Sequence, residues 1–317
     1  MSPASKNNFP QDWQPTASIK NLHKRAQMLK HIREFFAARD VLEVETPLLC
    51  QTSVTDPHIA SIKVQRQYLQ TSPEYAMKRL LAAGSGAIYQ ICKAFRQDEA
   101  GRLHNAEFTM LEWYRPGFDH HQLMDEMDAL FQHLLEMPAA ERKTYAAIFH
   151  EHLALDPHTA DLAELAACAK AHNINVQMDV TERDTWLQLL MSECIEAKLG
   201  LTRPCFIYDF PISQAALARI QNTTPPTAAR FEVYFQGIEL ANGFHELQDA
   251  KEQRKRFENN NIERQRLGLP TIPIDEYFLA ALQHGLPDCA GVALGLDRLI
   301  MLAANCQNIA EVISFTF

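Results

Sequence analysis

Strand-like sequence falls into two groups separated by a long helical stretch, and that order limits the possible folds more than any other feature of the chain. Residues 87–96 and 107–115 read as two strands around a polar, glycine-containing loop from Asp98 to Asn105, a long hairpin. Residues 121–200 read as mainly helical. Strand character returns at 205–208, 230–235 and 238–241. A highly charged helix over about 248–267 then reads as a solvated face, and a glycine-punctuated strand, 291–295, feeds an apolar helix over 296–302. Strands grouped before and after a helical block predict an α+β fold, a mostly antiparallel sheet flanked by helices, and argue against a doubly wound parallel sheet. Ahead of the first hairpin, Ile19, Leu22, Ala26, Leu29, Ile32 and Phe36 recur at helical spacing. In the segment 41–47, Leu42 and Val44 alternate with acids, as in a half-buried strand stopped by Pro47.

Composition narrows the chemistry. A formal net charge of −9 on 317 residues argues against a main partner that is a polyanion, because Lys and Arg dominate such affinities. The seven cysteines show neither a CxxC pair nor metal-ligand spacing with the histidines and read as reduced thiols. Residues 1–15 read as a flexible polar tail without the pattern of a signal peptide, and no run reaches transmembrane length. A cytoplasmic protein without membrane association is expected, with one continuous domain from residue 16 to 317 carrying the mainly helical insertion at about 121–200.

Three segments carry residues suited to chemistry. In the first hairpin, period-2 geometry puts Phe108, Met110, Glu112 and Tyr114 on one face, with Arg96 on the preceding strand. An arginine fork grips phosphate oxygens, and a carboxylate with a phenol suits an amine, although a surface ion-pair hairpin would have the same pattern. In the second hairpin, a two-residue turn at Gln236-Gly237 would pair Tyr234 with Glu239 and leave Glu232 and Glu239 on one face. Two acids facing one way suit Mg2+ shared with substrate phosphates, or form a solvated acidic face. In the third, Gly291 and Gly295 would let a ligand approach the backbone, and Arg298 at a helix start is placed to hold an anion, a weak signal by itself.

Taken together and in this order, the segments resemble the signature motifs of class II aminoacyl-tRNA synthetases: Leu42–Pro47 the first, Phe95–Phe108 the second and Gly291–Arg298 the third. Within the class, His104-Asn105, Glu107–Glu112 and Arg230–Glu232 are most similar to lysyl-tRNA synthetase, over roughly residues 16–315. That enzyme carries an anticodon-binding OB-fold domain before the first motif, whereas about 18 residues precede the first helix here, too few for an independent domain. No anticodon-binding domain and no stable tRNA binding are therefore expected. Thr71–Tyr75, Phe210–Ala215 and Gly237–Leu247 are similar to truncated lysyl-tRNA synthetase relatives that modify elongation factor P.

The resemblance implies a class II synthetase catalytic fold and a two-step reaction. Lysine or (R)-β-lysine would be activated by ATP as an aminoacyl-adenylate, with Mg2+, and then passed to a lysine side chain of elongation factor P. No covalent nucleophile is needed. Arg96 and Arg298 would be the catalytic pair, on the α-phosphate and the γ-phosphate end. Gln97, Asp98, His104, Asn105, Phe108, Glu239, Leu240 and Gly295 would complete the ATP site, with Phe108 stacking on adenine. Glu232 and Glu239 would hold magnesium, while Ser72, Pro73, Glu74, Tyr114, Asn242, Glu246 and Ala293 would line the amino-acid pocket. A buried ammonium needs carboxylate partners, which independently favours acids there. The first motif implies a homodimer. The chain departs from the family at Gln97-Asp98, usually Asn-Glu, and at Ala106, usually proline; the shorter Asp98 reaches less far toward adenine. Two other readings compete: a free-standing lysine-activating enzyme with tRNA or a small molecule as acceptor, and a catalytically silent regulatory subunit, against which the retained Arg96, Glu232, Glu239 and Arg298 argue.

Overall fold

The computed structural model describes residues 13–97, 99–174 and 182–316. Helix α1 (Ile19–Ala37) starts where the Ser18 side chain accepts the Asn21 N–H. It buries Met28, Ile32, Phe35 and Phe36, while Ile19 is exposed, so the buried stripe is rotated from the one expected. The first strand is shorter than expected: β1 (Leu42–Glu43) is an edge strand with Leu42 exposed, and Val41 is the residue that enters the core. Two residues are too few to impose alternation, and Glu43 is turned toward Arg33 and the Tyr89 hydroxyl.

A small sheet of β2 (Leu49–Cys50), β3 (Lys63–Val64) and β4 (Gln67–Leu69) follows, and α2 (Glu74–Ala82) leads into the first long hairpin, β5 (Ile88–Phe95) and β6 (Glu107–Pro116). Helix α3 (His120–Leu135), begun by an Asp119/Gln122 capping box, opens the middle of the chain. That region holds α4 (Tyr145–Leu153), α5 (Leu162–Ala171) and α6 (Arg183–Leu190), and also a strand, β7 (Glu141–Thr144), that its mainly helical pattern did not announce. Then come β8 (Cys205–Pro211), β9 (Ile220–Gln221), the second hairpin β10 (Thr227–Phe235) and β11 (Ile238–His245), and helices α7 (Ala250–Arg266) and α8 (Glu276–Gly285). The charged α7 is not solvated all round, since Gln253, Phe257 and Arg264 are buried. Strand β12 (Cys289–Gly295) and helix α9 (Leu296–Ala303) follow.

The main sheet runs β1-β5-β6-β12-β11-β10-β8-β7, with β9 attached to β10. Only the outer pairs, β1 with β5 and β7 with β8, are parallel. The fold is therefore α+β with a mostly antiparallel sheet. Period-2 alternation divides the two faces. One face, with Leu111, Trp113, Phe231, Val233, Val292 and Leu294, packs on α1, α3 and α9 as the principal core. Each such side chain contributes about 1.5–3 kcal/mol when fully buried. The other face carries, across neighbouring strands, Glu232, Asn242, Ala293, Glu112 and Gln90 in register. Polar residues survive there because α2 and α8 roof one end of that face, around Ile88, Tyr114 and Cys289, and α4–α6 pack at its β8 and β10 side.

Candidate active site

The second hairpin turns at Gln236 and Gly237, both with positive φ (51° and 72°), as a two-residue turn matched to strand twist requires. Tyr234 pairs with Glu239 as the sequence implied. The next register is Val233 with Ala241, so Leu240 is an extra residue, a β-bulge. Through that bulge, Glu239 and Asn242, three positions apart, both face the same way as Glu232 and Tyr234. Glu232 is held by Arg230, by the Tyr234 hydroxyl at 2.8 Å and by Asn242 Nδ2 at 3.4 Å. Burial, and then the charge of Glu232, push the Glu239 carboxyl up to about 7. Glu196, unsuspected from the sequence, adds a third acid: it lies 3.5 Å from the Tyr234 hydroxyl and is itself raised by burial and Glu232.

Segments far apart in the chain converge on one cleft of about 300 Å3, where Arg96, His104, Asn105, Phe108, Glu239, Leu240, Asn242, Ala293, Gly295 and Arg298 meet. Arg298, in the first turn of α9, donates Nη1 to the Glu239 carbonyl at 2.8 Å and Nε to the Leu103 carbonyl at 3.2 Å, and its Nη2 is 2.6 Å from His104 Nε2. Burial and that guanidinium hold His104 below the usual imidazole range. The Arg96 guanidinium lies 5.2 Å from the centre of the Phe108 ring and 3.5 Å from Glu99. Asn105 donates to the Glu107 carbonyl at 2.6 Å. Gln97 is exposed and does not line the cleft, and Asp98 lies outside the described residues. Among the described residues no three His, Cys, Asp or Glu side chains are arranged so that together they could hold a metal ion. A second cavity, about 960 Å3, adjoins the first at Glu239 and includes Glu196, Arg230 and Glu232.

Next to the cleft in register, beyond Ala293 and Asn242, lies a closed cluster of acids. Ser72 donates to Glu112 Oε2 at 2.7 Å, and the Tyr114 hydroxyl donates to Glu112 Oε1 at 2.6 Å. Pro73 is the residue before α2, and the backbone N–H of Glu74 donates to Ser72 Oγ at 3.1 Å. Lys78, one turn further along α2, pairs with Glu74 and Glu246 at 2.6 Å each. Burial, and then the Glu74 charge, push Glu112 up to about 8. Burial likewise pushes Glu246 up to about 8, against the pull of Lys78. Among the described residues, Glu246 Oε1 has no hydrogen-bond partner. Gly291 serves this cluster more than any ligand at the backbone: a Cβ there would sit 2.2 Å from Tyr114 Cε1 and 2.7 Å from Glu246 Oε1. By contrast, a Cβ at Gly295 would meet nothing nearer than 3.6 Å.

Besides Glu196, sequence reasoning missed three working parts. Glu112 was placed on the right face but not in the pocket. Lys78 gave one usable signal, its place beside Met77 and Leu81 on the buried face of α2. Asp297 gave none. It is buried, accepts the Thr109 N–H at 2.6 Å and pairs with Arg25, which also donates to Thr109 Oγ1 at 2.7 Å.

Two arginines in a cleft beside a carboxylate-walled pocket, on an antiparallel sheet, suit an anion in the one and an ammonium in the other. The chain belongs to the family of class II tRNA synthetases (D, K and N), which matches residues 10–317. Within it, the chain is similar over nearly its whole length to proteins named elongation factor P–(R)-β-lysine ligase. That of Haemophilus influenzae (strain PittGG) is 52% identical, covering 96% of this chain and 97% of the relative. Those of Proteus mirabilis (strain HI4320) and Vibrio cholerae serotype O1 (strain ATCC 39315 / El Tor Inaba N16961) are each 54% identical, covering 96% of this chain and 97% and 98% of the relatives.

Proposed function

We propose that the chain activates (R)-β-lysine with ATP and transfers it to a lysine side chain of elongation factor P. The observation that carries this reading is the trio of buried Glu112 and Glu246 with half-buried Glu74, next to a cleft holding Arg96 and Arg298. Acids at that depth, two of them pushed up to about 8, are costly unless cations meet them. In the first step a carboxylate oxygen of the amino acid attacks the α-phosphorus, the bond to pyrophosphate breaks, and an acyl-adenylate forms. Arg96 stabilises charge on the α-phosphate, Arg298 takes the γ-phosphate end, and His104, Asn105, Phe108, Leu240 and Gly295 position the nucleotide. In the second step the acceptor amine attacks the acyl carbon, the bond to AMP breaks and an amide forms with loss of a proton.

The acids beside the cleft fit Mg2+. The Glu239 carboxylate accepts no protein hydrogen bond among the described residues and faces the same way as Glu232, and Mg2+ takes one or two carboxylates plus phosphate oxygens. Bound there, the ion would neutralise phosphate charge. Exposed Ile19 and Leu42 support a homodimer through α1 and β1, with sedimentation as its check. A cytoplasmic location accords with the absence, among the described residues, of any helix long and apolar enough to cross a membrane.

The test is ATP–pyrophosphate exchange with (R)-β-lysine and with α-lysine, followed by transfer of labelled amino acid to elongation factor P or to tRNA. Exchange that prefers (R)-β-lysine, with label on elongation factor P, is expected. Silence with both amino acids, or label on tRNA alone, would overturn the reading.

A further inference from the structure

The amino-acid pocket contains a cation of its own. Lys78 is wholly buried on α2, with its ammonium 2.6 Å from both Glu74 Oε1 and Glu246 Oε2 and 5.7 Å from the centre of the Phe278 ring. Burial pushes its pKa down, but Glu246 and Glu74 outweigh that and hold it above the usual lysine range. The groups facing it are Glu74 on its own helix, Glu112 and Tyr114 on β6, Glu246 after β11, Cys289 on β12 and the Phe278 ring on α8. Fully ionised, three carboxylates against one ammonium would leave the cluster two positive charges short of neutrality, a deficit that protons on Glu112 and Glu246 cover below about pH 8 while the pocket is empty. One acid oxygen, Glu246 Oε1, has no hydrogen-bond partner among the described residues.

We propose that Lys78 is a positioning residue and a specificity determinant: a built-in ammonium that fixes Glu74 and Glu246 and sets the pocket's charge deficit at two, the number of ammonium groups on a diamino acid. This rests on the reading of the cleft as a lysine or β-lysine site. Lys78 acts through the acids without touching the reacting atoms. A substrate with one ammonium leaves a buried charge unmatched, whereas a diamino acid closes the balance. Removing Lys78 deepens the deficit to three, which a diammonium substrate no longer fills unless one acid is protonated.

The experiment compares wild type, Lys78→Met and Lys78→Arg in ATP–pyrophosphate exchange from pH 6 to 9 with lysine or (R)-β-lysine. In Lys78→Met the KM for the amino acid should rise at least about tenfold at pH 7, while the KM for ATP stays within about twofold, because the loss is confined to one pocket. The acidic limb of kcat/KM should move to higher pH, since the acids lose a neighbouring cation. Lys78→Arg keeps the charge and should keep that limb at the wild-type pH. Should Lys78→Met not fold, the arginine variant and wild-type calorimetry decide: lysine binding at pH 7 should release protons, and norleucine, with one ammonium, should bind at least about tenfold more weakly. An unshifted limb and unchanged amino-acid KM in folded Lys78→Met overturn the assignment of Lys78 alone. A shifted limb in Lys78→Arg, or lysine binding without proton release, does the same. Wild type without exchange on either amino acid overturns the reading of the cleft as well.

Discussion

A single side chain can be separated from the fold only where it bears on chemistry and not on packing, and Arg96 is such a case. It is partly exposed, and among the described residues its side-chain partners are one glutamate 3.5 Å away and the Phe108 ring. Surface contacts of that kind are worth about 0.5 kcal/mol or less. Arg96→Ala should therefore melt within a few degrees of wild type while pyrophosphate exchange falls by about 10²-fold or more, as when a preorganised charge partner is lost. Exchange at the wild-type rate would remove Arg96 from the mechanism. Glu112 is the opposite case, because its chemistry and its stability are coupled. Its carboxyl titrates near pH 8 in the folded chain, against about 4.3 unfolded. The folded state thus holds the proton that the unfolded state has released, so this group's contribution is fully present below the unfolded value and is lost as pH rises toward 8. Glu112→Gln should flatten the fall in stability of the ligand-free protein between pH 6 and 8 by up to about 1.4 kcal/mol per pH unit. Urea midpoints at several pH values would measure it, and parallel profiles would refute it.

Between residues and the molecule stand the strands, and there the sequence is legible up to a limit. Both hairpins and the strand-to-helix passage at Gly295 fell where alternation and turn residues put them, because period and glycine placement are local properties. The bulge at Leu240 was not legible. Nothing in Glu239–Asn242 announces an extra residue, yet without it Asn242 would face the core and not Glu232. Strand β7 was hidden for a related reason: Glu141–Thr144 is polar, and it becomes a strand only through parallel pairing with β8, a tertiary event. Likewise, Leu42 read as half-buried because alternation carries no information about how far pairing extends. The bare position on β12 gives a prediction at this scale. Gly291→Ala would drive a methyl into the Tyr114 ring and toward Glu246, displacing two walls of the amine pocket while leaving the Arg96 and Arg298 cleft alone. A displacement near 1 Å costs about 10²-fold, so kcat/KM for lysine should fall by that order with the KM for ATP unchanged. A matching loss for both substrates would show that the methyl disturbs the whole sheet.

For the whole molecule, the question is what holds three remote segments in one place, since Arg96 and Arg298 are useful only if the first hairpin and the last helix keep their relative positions. The apolar face of the sheet supplies most of the adhesion, but hydrophobic packing is undirected and does not by itself set which atoms of β6 lie over α9. Asp297 sets it. One carboxylate oxygen takes the Thr109 N–H of β6 at 2.6 Å, the other pairs with Arg25 of α1, and Arg25 returns to Thr109 Oγ1 at 2.7 Å. The three members come from residues 25, 109 and 297, so no local pattern could reveal the network. Its position, adjacent to Arg298 and one residue from Phe108, makes it the joint between the two halves of the nucleotide cleft. Asp297→Ala would leave the Arg25 guanidinium without its carboxylate and a buried N–H without an acceptor. Breaking a buried pair from one side costs about 3–5 kcal/mol, a large share of the roughly 5–15 kcal/mol by which a domain is stable. Asp297→Asn should lose less, because its amide oxygen still accepts from Thr109. The order wild type, Asn, Ala in urea midpoints, with a KM for ATP that rises in the same order, is expected if Asp297 joins the two halves; a destabilised Ala variant with an unaltered KM for ATP would make it a support of the fold alone.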